Sequence, residues 1–328
     1  MKLSFVITHY KEPYEVCQPL FESIANQIGV DFDNLEVIVV EDGEKEDFLN
    51  LELLQWLPYN VIQLSQGHKG VSSARNYGLE HVTGDYVMFC DCDDRFINAI
   101  ALHLYLKAIK QAMFDIVKTP FLEDQVIDGE LKLIRHDQDI TFIHGKMYRV
   151  DFLKENGIKF NNELTIHEDA FFNVIANMLS EGNIHEMSPA VYLWKYRDES
   201  VVRVDKDAYV FKTYDHLMKS RRAICKDLEK RERYAEFYQA VSKTFFDSYY
   251  DFQRPDCFKE ENKEIIEKAE RAFAEFYNEF KDEFKNVNIN DKAVMAHICR
   301  VNGFNNGMKM ERETFPDFLR RIIKTYLS

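Results

Sequence analysis

The stretch Tyr86-Val87-Met88-Phe89-Cys90-Asp91-Cys92-Asp93-Asp94 sets three carboxylates at the end of an apolar run. Tyr86 to Cys90 reads as a strand covered on both faces. Ligands of open α/β sheets bind outside the carboxyl ends of such strands. Asp91 and Asp93 are two apart, so extended backbone would put them on one face. Hard oxygen donors that keep open positions suit Mg²⁺ or Mn²⁺, and such an ion commonly bridges to phosphate oxygens. Taken alone, the same residues also describe a polar turn after a strand.

Other chemistry-bearing segments sit at comparable places. Thr8-His9-Tyr10-Lys11-Glu12 follows an apolar strand and offers a hydroxyl and a ring that can bond and stack on a nucleobase. In Val40-Glu41-Asp42-Gly43 the glycine permits a sharp exit and the acid can accept from a base N–H or a ribose hydroxyl. His68-Lys69-Gly70-Val71-Ser72-Ser73-Ala74-Arg75-Asn76 is a basic loop entering a helix. Arg75 falls one turn in, where it can reach a phosphate or an acid of a neighbouring loop, and Ser72 or Ser73 can cap the helix. His167-Glu168-Asp169 opens another helix. Its acids suit the helix N-terminus, and a carboxylate there can take the proton of an attacking hydroxyl.

The elements that must position these residues alternate. Strands are expected at Leu3–Ile7, Leu35–Val40, Asn60–Leu64 and from Tyr86, with helices over 14–27, 48–56, 71–81 and 99–112. Such alternation predicts a mostly parallel sheet with helices on both faces. Strands at 115–122 and 130–134 flank an Asp128-Gly129 turn. Gly145 to Phe152, a helix over 164–179 and a last strand at 190–196 complete an expected domain over residues 1–205. From 206 to 328 strand signals fade. Ile265, Ala269, Phe273, Phe276, Phe280 and Phe284 keep helical spacing between charged residues, which predicts an α-helical C-terminal domain with loop breaks at Pro255 and 302–307.

The 328 residues suffice for one large domain and an annex. A formal net charge of −14 argues against binding a nucleic-acid polymer but leaves room for a nucleotide whose charge a cation neutralises. The six cysteines form no CxxC pair and read as packing residues in a reducing compartment. The short lead-in to the first strand is no signal peptide, and no stretch is apolar enough to span a bilayer, so a cytoplasmic location is expected.

Jointly, Thr8 and Tyr10, Val40-Glu41-Asp42-Gly43, Gly70 through Ala74-Arg75-Asn76 to Gly78, and Asp91-Cys92-Asp93-Asp94 resemble the family 2 glycosyltransferases of GT-A fold over roughly the first 200 residues. That family shows a strand ending in a Thr–Tyr pair, then V-D-D-G, G-x-x-x-A-R-N-x-G and D-x-D-D. The chain departs from it with Glu41 in place of the first Asp, and with a His9-Tyr10-Lys11-Glu12 segment lacking the usual proline and asparagine. The resemblance implies that Thr8, Tyr10, Glu12 and Asp42 hold the donor's base end. It implies that Arg75 steadies Asp42 or the diphosphate, that Asp91 meets the ribose or sugar, and that Asp93, with Asp91, coordinates Mn²⁺ or Mg²⁺. Glu168-Asp169 resembles the acid pair at the acceptor site, with Asp169 as general base and Glu168 second. Trp194-Lys195-Tyr196-Arg197 resembles a segment that closes over the donor, with Arg197 meeting the diphosphate.

The implied activity is transfer of a sugar from a nucleotide sugar, by family frequency a UDP-sugar, to an acceptor hydroxyl with inversion. Carbohydrate or lipid-linked acceptors of cell-surface polysaccharide, teichoic acid or glycolipid synthesis would fit. The C-terminal domain would hold the acceptor, form a homo-oligomer or dock on a partner. The basic amphipathic stretch 318–327 could make peripheral contact with the inner face of a membrane. Two alternatives stand beside this reading: a haloacid-dehalogenase-like phosphatase, which also presents a DxD at a strand end, and a non-catalytic nucleotide-sugar-binding scaffold.

Overall fold

The structure is a computed structural model that describes residues 1–196, 209–284 and 313–328, apart from 128, 138, 255, 256 and 258. It divides into two compact units, Met1–Asp198 and Glu199–Ser328. The expected turn residue Asp128, the breaks at Pro255 and 302–307, and Arg197 lie outside the described residues.

In the first unit, strands Leu3–His9 (β1), Leu35–Asp42 (β2), Val61–Gln66 (β3) and Tyr86–Asp91 (β4) alternate with helices Tyr14–Ala25 (α1) and Val71–His81 (α2). Arg95–Phe96 (β5), Ala101–Gln111 (α3), Ile116–Lys118 (β6), Phe121–Ile127 (β7) and Glu130–His136 (β8) follow. The unit then runs through Lys146–Arg149 (β9), Val150–Glu155 (α4), Glu168–Leu179 (α5), Ile184–Glu186 (β10) and Tyr192–Trp194 (β11). The main sheet has seven strands in the order β10-β6-β9-β4-β1-β2-β3, and a second sheet runs β5-β11-β7-β8. The main sheet is parallel except at β9, which runs antiparallel to both β4 and β6.

Residues 35–42 of β2 are all buried, as the run of β-branched residues implies for a strand covered on both faces. Register then levels the functional ends. Thr8 lies opposite both Val40 and Asp91, and His9 lies opposite Glu41, so the tips of β1, β2 and β4 form one edge.

Four sequence expectations need correction. Residues 48–56 hold only a short 3₁₀ turn at Leu51–Leu54. The Asn50 side chain accepts from the Glu52 amide there, and Pro58 keeps Leu57 out of helical backbone. The strand expected over 115–122 is two strands in different sheets, broken at Thr119-Pro120, where proline has no N–H to give. The strand carrying the acids stops at Asp91: the Asp94 amide donates to the Asp91 carbonyl at 3.2 Å, so Asp93 sits in a turn and does not share a strand face with Asp91. The helix expected from 164 starts at Glu168, after His167 in left-handed backbone at φ 64°.

In the second unit, Tyr209–Lys212 (α6), Tyr214–Lys230 (α7), Tyr234–Asp251 (α8), Lys263–Phe284 (α9) and Phe315–Tyr326 (α10) are helical. Its core is aromatic. Phe273, Phe276, Phe280 and Phe284 of the predicted stripe are buried, and Phe284 stacks on Phe245 at 4.1 Å. Helix α10 buries Phe315, Phe318, Leu319 and Ile322 within the same unit, so its apolar face is already covered. Among the described residues no helix is long and apolar enough to cross a membrane.

Helix α2 lies close against the main sheet at Gly78. A Cβ there would come 2.4 Å from Val6 Cγ1 and 3.1 Å from Val40 Cγ2, both on fully buried strand residues. Ordinary helix propensity favours alanine over glycine by about 1 kcal/mol, but overpacking a rigid core costs about 1–3 kcal/mol. Gly78→Ala is therefore expected to lower stability, and denaturant unfolding would read it.

Candidate active site

Helix α2 organises the site. Ala74 packs into the core, and its neighbours reach outward to the segment before α5. Ser72 Oγ donates to the Leu164 carbonyl at 3.1 Å, and Asn76 Nδ2 donates to the Phe160 carbonyl at 2.8 Å while Asn76 Oδ1 accepts from the Phe160 amide. Between them Arg75 extends under the site with 3% of its side chain exposed. Its Nη2 donates to Asp91 Oδ1 at 2.8 Å. Its Nη1 donates to Glu168 Oε1 at 3.0 Å and Asp169 Oδ1 at 2.5 Å. The guanidinium also lies 5.2 Å from the Phe160 ring centroid. Burial opposes the charge on Arg75, but Asp169, Asp91 and Glu168 outweigh it and push its pKa up.

The acids respond in different directions. Burial works against ionisation of Asp91, yet the charge of Arg75 and then of His144 hold its carboxyl below the usual range. Burial and then the Asp169 charge raise Glu168 to about 8, against the pull of Arg75. Asp169 has both oxygens engaged: Oδ1 by Arg75, and Oδ2 by the Ile143 amide at 3.1 Å. Its side chain keeps 17% exposure, so it still faces solvent.

The two sequence departures turn out to be partners. His9 Nδ1 lies 2.5 Å from Glu41 Oε2, and Nε2 lies 2.7 Å from the Glu12 carbonyl. Burial disfavours the imidazolium, but bonds with Cys17, Glu41 and the Glu12 carbonyl outweigh it and lift the His9 pKa to about 10. Glu41 Oε1 accepts from the Leu49 amide and from Gln63. The longer Glu41 side chain therefore ties β2 to β1 and to the loop after it.

Asp42 is buried and accepts from the backbone amides of Lys69 at 2.7 Å and Gly70 at 2.9 Å, with Gln66 as a further donor. It fixes the loop that starts α2, and Arg75 bonds the other acids rather than Asp42. Tyr10 stacks on His68 at 4.3 Å and is exposed, while Glu12 folds back to accept from the Tyr10 amide at 2.7 Å. Thr8, partly buried, stands in register between Val40 and Asp91. Thr8, Asp42, Arg75, Asp91, Glu168 and Asp169 thus lie along one edge, with Tyr10 and Glu12 in the loop that leaves it.

Sequence reasoning did not reach the partners of Asp94. This fully buried acid accepts from Tyr192 OH at 2.9 Å and the Lys195 amide at 3.0 Å, and His144 Nδ1 lies 3.3 Å away. Burial pushes Asp94 up, and Asp94 raises His144 against its own burial. One ligand atom from each of Asp91, Asp94 and His144 falls within 4.8 Å of the others, a grouping that could hold a metal ion. Asp91, with 32% of its side chain exposed, and Asp93, partly buried, are the members of the acid run that reach solvent. The Asp-Asp run signalled Asp94, but nothing in the sequence linked it to His144, fifty residues on.

A mostly parallel sheet whose central strand ends in an acid run, faced by a second acid pair at a helix start, defines a GT-A fold. The chain belongs to glycosyl transferase family 2, whose family model matches residues 4–173, just over half of its length. It is 41% identical over 75 residues to the minor teichoic acid biosynthesis protein GgaB of Bacillus subtilis, covering 22% of this chain and 8% of that protein. It is 27% identical over 216 residues to the poly(ribitol-phosphate) beta-N-acetylglucosaminyltransferase TarS of Staphylococcus aureus, covering 61% of this chain and 36% of TarS. The chain thus spans about a third or less of the length of these curated relatives. The crystal structure of S. aureus TarS 1–349 in complex with UDP-GlcNAc superposes with a TM-score of 0.60 at 19% identity, over 96% of this chain and 98% of that one, which shows the shared fold. Family membership sets aside the phosphatase alternative.

Two outcomes follow from the acid cluster. Replacing Arg75 by Met leaves the carboxylates of Asp91 and Asp169 and the carboxyl of Glu168 without their cation. Breaking a buried ion pair from one side costs about 3–5 kcal/mol, so Arg75→Met should lower the denaturant midpoint strongly. The pKa of Glu168 rises from an ordinary 4.5 to about 8 on folding. Between those values the folded chain keeps a proton that the unfolded chain has released, so this group's contribution to stability is lost as pH rises through that window. Glu168→Gln should flatten the decline in melting temperature between pH 5 and pH 8.

Proposed function

We propose that this chain transfers a sugar from a nucleotide sugar to an acceptor hydroxyl with inversion, using Asp169 as general base. The carrying observation is Asp169 itself, held at both oxygens by Arg75 and the Ile143 amide, yet still open to solvent beside the tips of β1, β2 and β4. Both bonds fix the orientation of the carboxylate, which a base needs to meet an incoming hydroxyl. The acceptor oxygen forms its bond to the anomeric carbon as Asp169 takes its proton, and the bond to the diphosphate breaks on the opposite face. One displacement inverts the centre without a covalent enzyme intermediate.

Thr8, Tyr10, Glu12, Asp42 and Arg75 serve the donor in this reading, directly or by holding its loops. Asp42 acts by fixing the 67–70 turn and Arg75 by fixing Asp91. Arg197 is proposed to meet the diphosphate. Asp93 and Asp91 fit a hard cation, because both are carboxylate-bearing residues that keep partial exposure, whereas Asp94 and His144 are buried against each other. Mn²⁺ or Mg²⁺ held there would neutralise charge on the leaving diphosphate.

A UDP-sugar, with UDP-N-acetylglucosamine first among candidates, and a polyol-phosphate or other cell-surface glycan acceptor are supported by the names of the TarS relatives. The proposed location is cytoplasmic. Peripheral contact with an anionic membrane would rest on charge, since α10 exposes Arg320 and Lys324 but buries its apolar face. Residues 206–328 are proposed to serve acceptor binding, self-association or docking.

The test is release of nucleoside diphosphate from a panel of UDP-, GDP- and dTDP-sugars with Mn²⁺ or Mg²⁺, with and without poly(ribitol phosphate). Expected are metal-dependent release from a UDP-sugar, its loss in Asp93→Ala, and a drop of at least about 100-fold in transfer for Asp169→Asn, the lower end of the range for general-base catalysis. Nucleotide-sugar binding by calorimetry with no turnover under any of these conditions would favour the scaffold instead.

A further inference from the structure

The loop between β8 and β9 is pinned by a buried cation that the mechanism above does not use. Lys146 opens β9 with 2% of its side chain exposed, and its Nζ donates to Asp139 Oδ1 at 3.1 Å and to the Phe142 carbonyl. Asp139 in turn accepts from the Thr141 amide at 2.9 Å, the Phe142 amide at 2.7 Å and the Thr141 hydroxyl. From the other side Asn173 Nδ2 donates to the Thr141 carbonyl at 2.9 Å and to the Asp169 carbonyl at 2.9 Å, and Tyr148 OH donates to Asn173 Oδ1. The segment 139–142 is therefore tied to β9 through Lys146 and to α5 through Asn173. The next residue, Ile143, is the one whose amide donates to Asp169 Oδ2.

We propose that Lys146, acting through Asp139 and the 139–143 loop, is a positioning residue for the base: it sets the Ile143 N–H that fixes the rotation of the Asp169 carboxylate. The inference rests on the assignment of Asp169 above. A lysine so thoroughly buried is costly unless paired, and both of its described bonds go to this one loop. Arg75 alone holds one oxygen of Asp169, which leaves the carboxylate free to turn about that contact. The amide supplies the second point. The described hydrogen bonds of Lys146 go to Asp139 and Phe142, and its one link to the base beyond that loop is the attraction between the Lys146 and Asp169 charges, so its effect should fall on the chemical step rather than on donor binding.

The experiment compares the full-length chain with Lys146→Met and with the double variant Asp139→Asn/Lys146→Met, which leaves no unpaired buried charge. Two readouts are taken: hydrogen exchange of the peptide spanning 139–146, and steady-state release of UDP from UDP-N-acetylglucosamine with Mn²⁺ and poly(ribitol phosphate). Expected are faster exchange in that peptide in both variants and a fall in kcat of about 30–100-fold, the scale of a catalytic group displaced by about 1 Å, with donor KM changed less than twofold. The double variant should recover melting temperature without recovering kcat. Exchange unchanged, kcat unchanged, or kcat returning together with the melting temperature would each overturn the positioning role. A wild-type chain that neither transfers nor hydrolyses any donor would instead bring down the transferase reading, and this inference with it.

Discussion

One guanidinium holds this site together. Asp91 comes from the end of a strand and the adjacent Glu168 and Asp169 from the start of a helix, and one cation bonds all three. Arg75 does so because its planar fork offers donors in fixed directions, two of which meet carboxylates from two elements. The cost of burying it falls on the whole domain. The helix that carries it must lie close to the sheet, hence Gly78 against Val6 and Val40, and must be tied to the loop ahead of α5, hence Ser72 and Asn76. Each position of the Ala-Arg-Asn-x-Gly run thus has a separate physical task around one cation.

Much of this was legible in the chain. Buried parallel strands are uninterrupted apolar runs, and β1, β2 and β4 stand out for that reason; α2 is expected at 71–81 and found there. The acid-bearing segments at 8–12, 40–43 and 91–94 were recognisable because strand ends in an alternating α/β chain must share an edge. What escaped was set by tertiary partners. Residues 115–122 have a strand's composition throughout, but Thr119-Pro120 moves the chain from one sheet to another, and composition carries no record of which sheet a strand joins. Asp93 reads as strand by spacing, yet the Asp94 amide closes a turn on Asp91 because Asp94 is drawn inward to Tyr192 and Lys195. His144 gave no local signal, since its partner Asp94 lies at the end of another strand.

The pairing of His9 with Glu41 shows how a motif can change without loss of its architecture. Each residue looks like a departure when taken singly. Together they form a buried ion pair that joins adjacent parallel strands at the edge where the loop bearing Tyr10 begins. A charge lengthened by one methylene on β2 is met by an imidazole on β1, and the remaining Glu41 oxygen is taken up by Leu49 and Gln63. The adjacent Asp42 is left to hold the loop before α2, a task that has no bearing on which residue precedes it.

The hairpin β7–β8 leaves the main sheet after β6 and the chain returns at β9, which pairs with β6 directly. Its two ends are thus stapled side by side by the sheet, whatever lies between them. Lengthening such an excursion costs little, because closure entropy grows only with the logarithm of loop length. Descendants of this chain can therefore rebuild the outer strand β8, which already exposes Leu131 and Leu133, while β7 stays paired with β11 and the main-sheet register stays as it is. The fold separates a strand free to diversify from a scaffold that is not, and it draws that line between β8 and its neighbour β7.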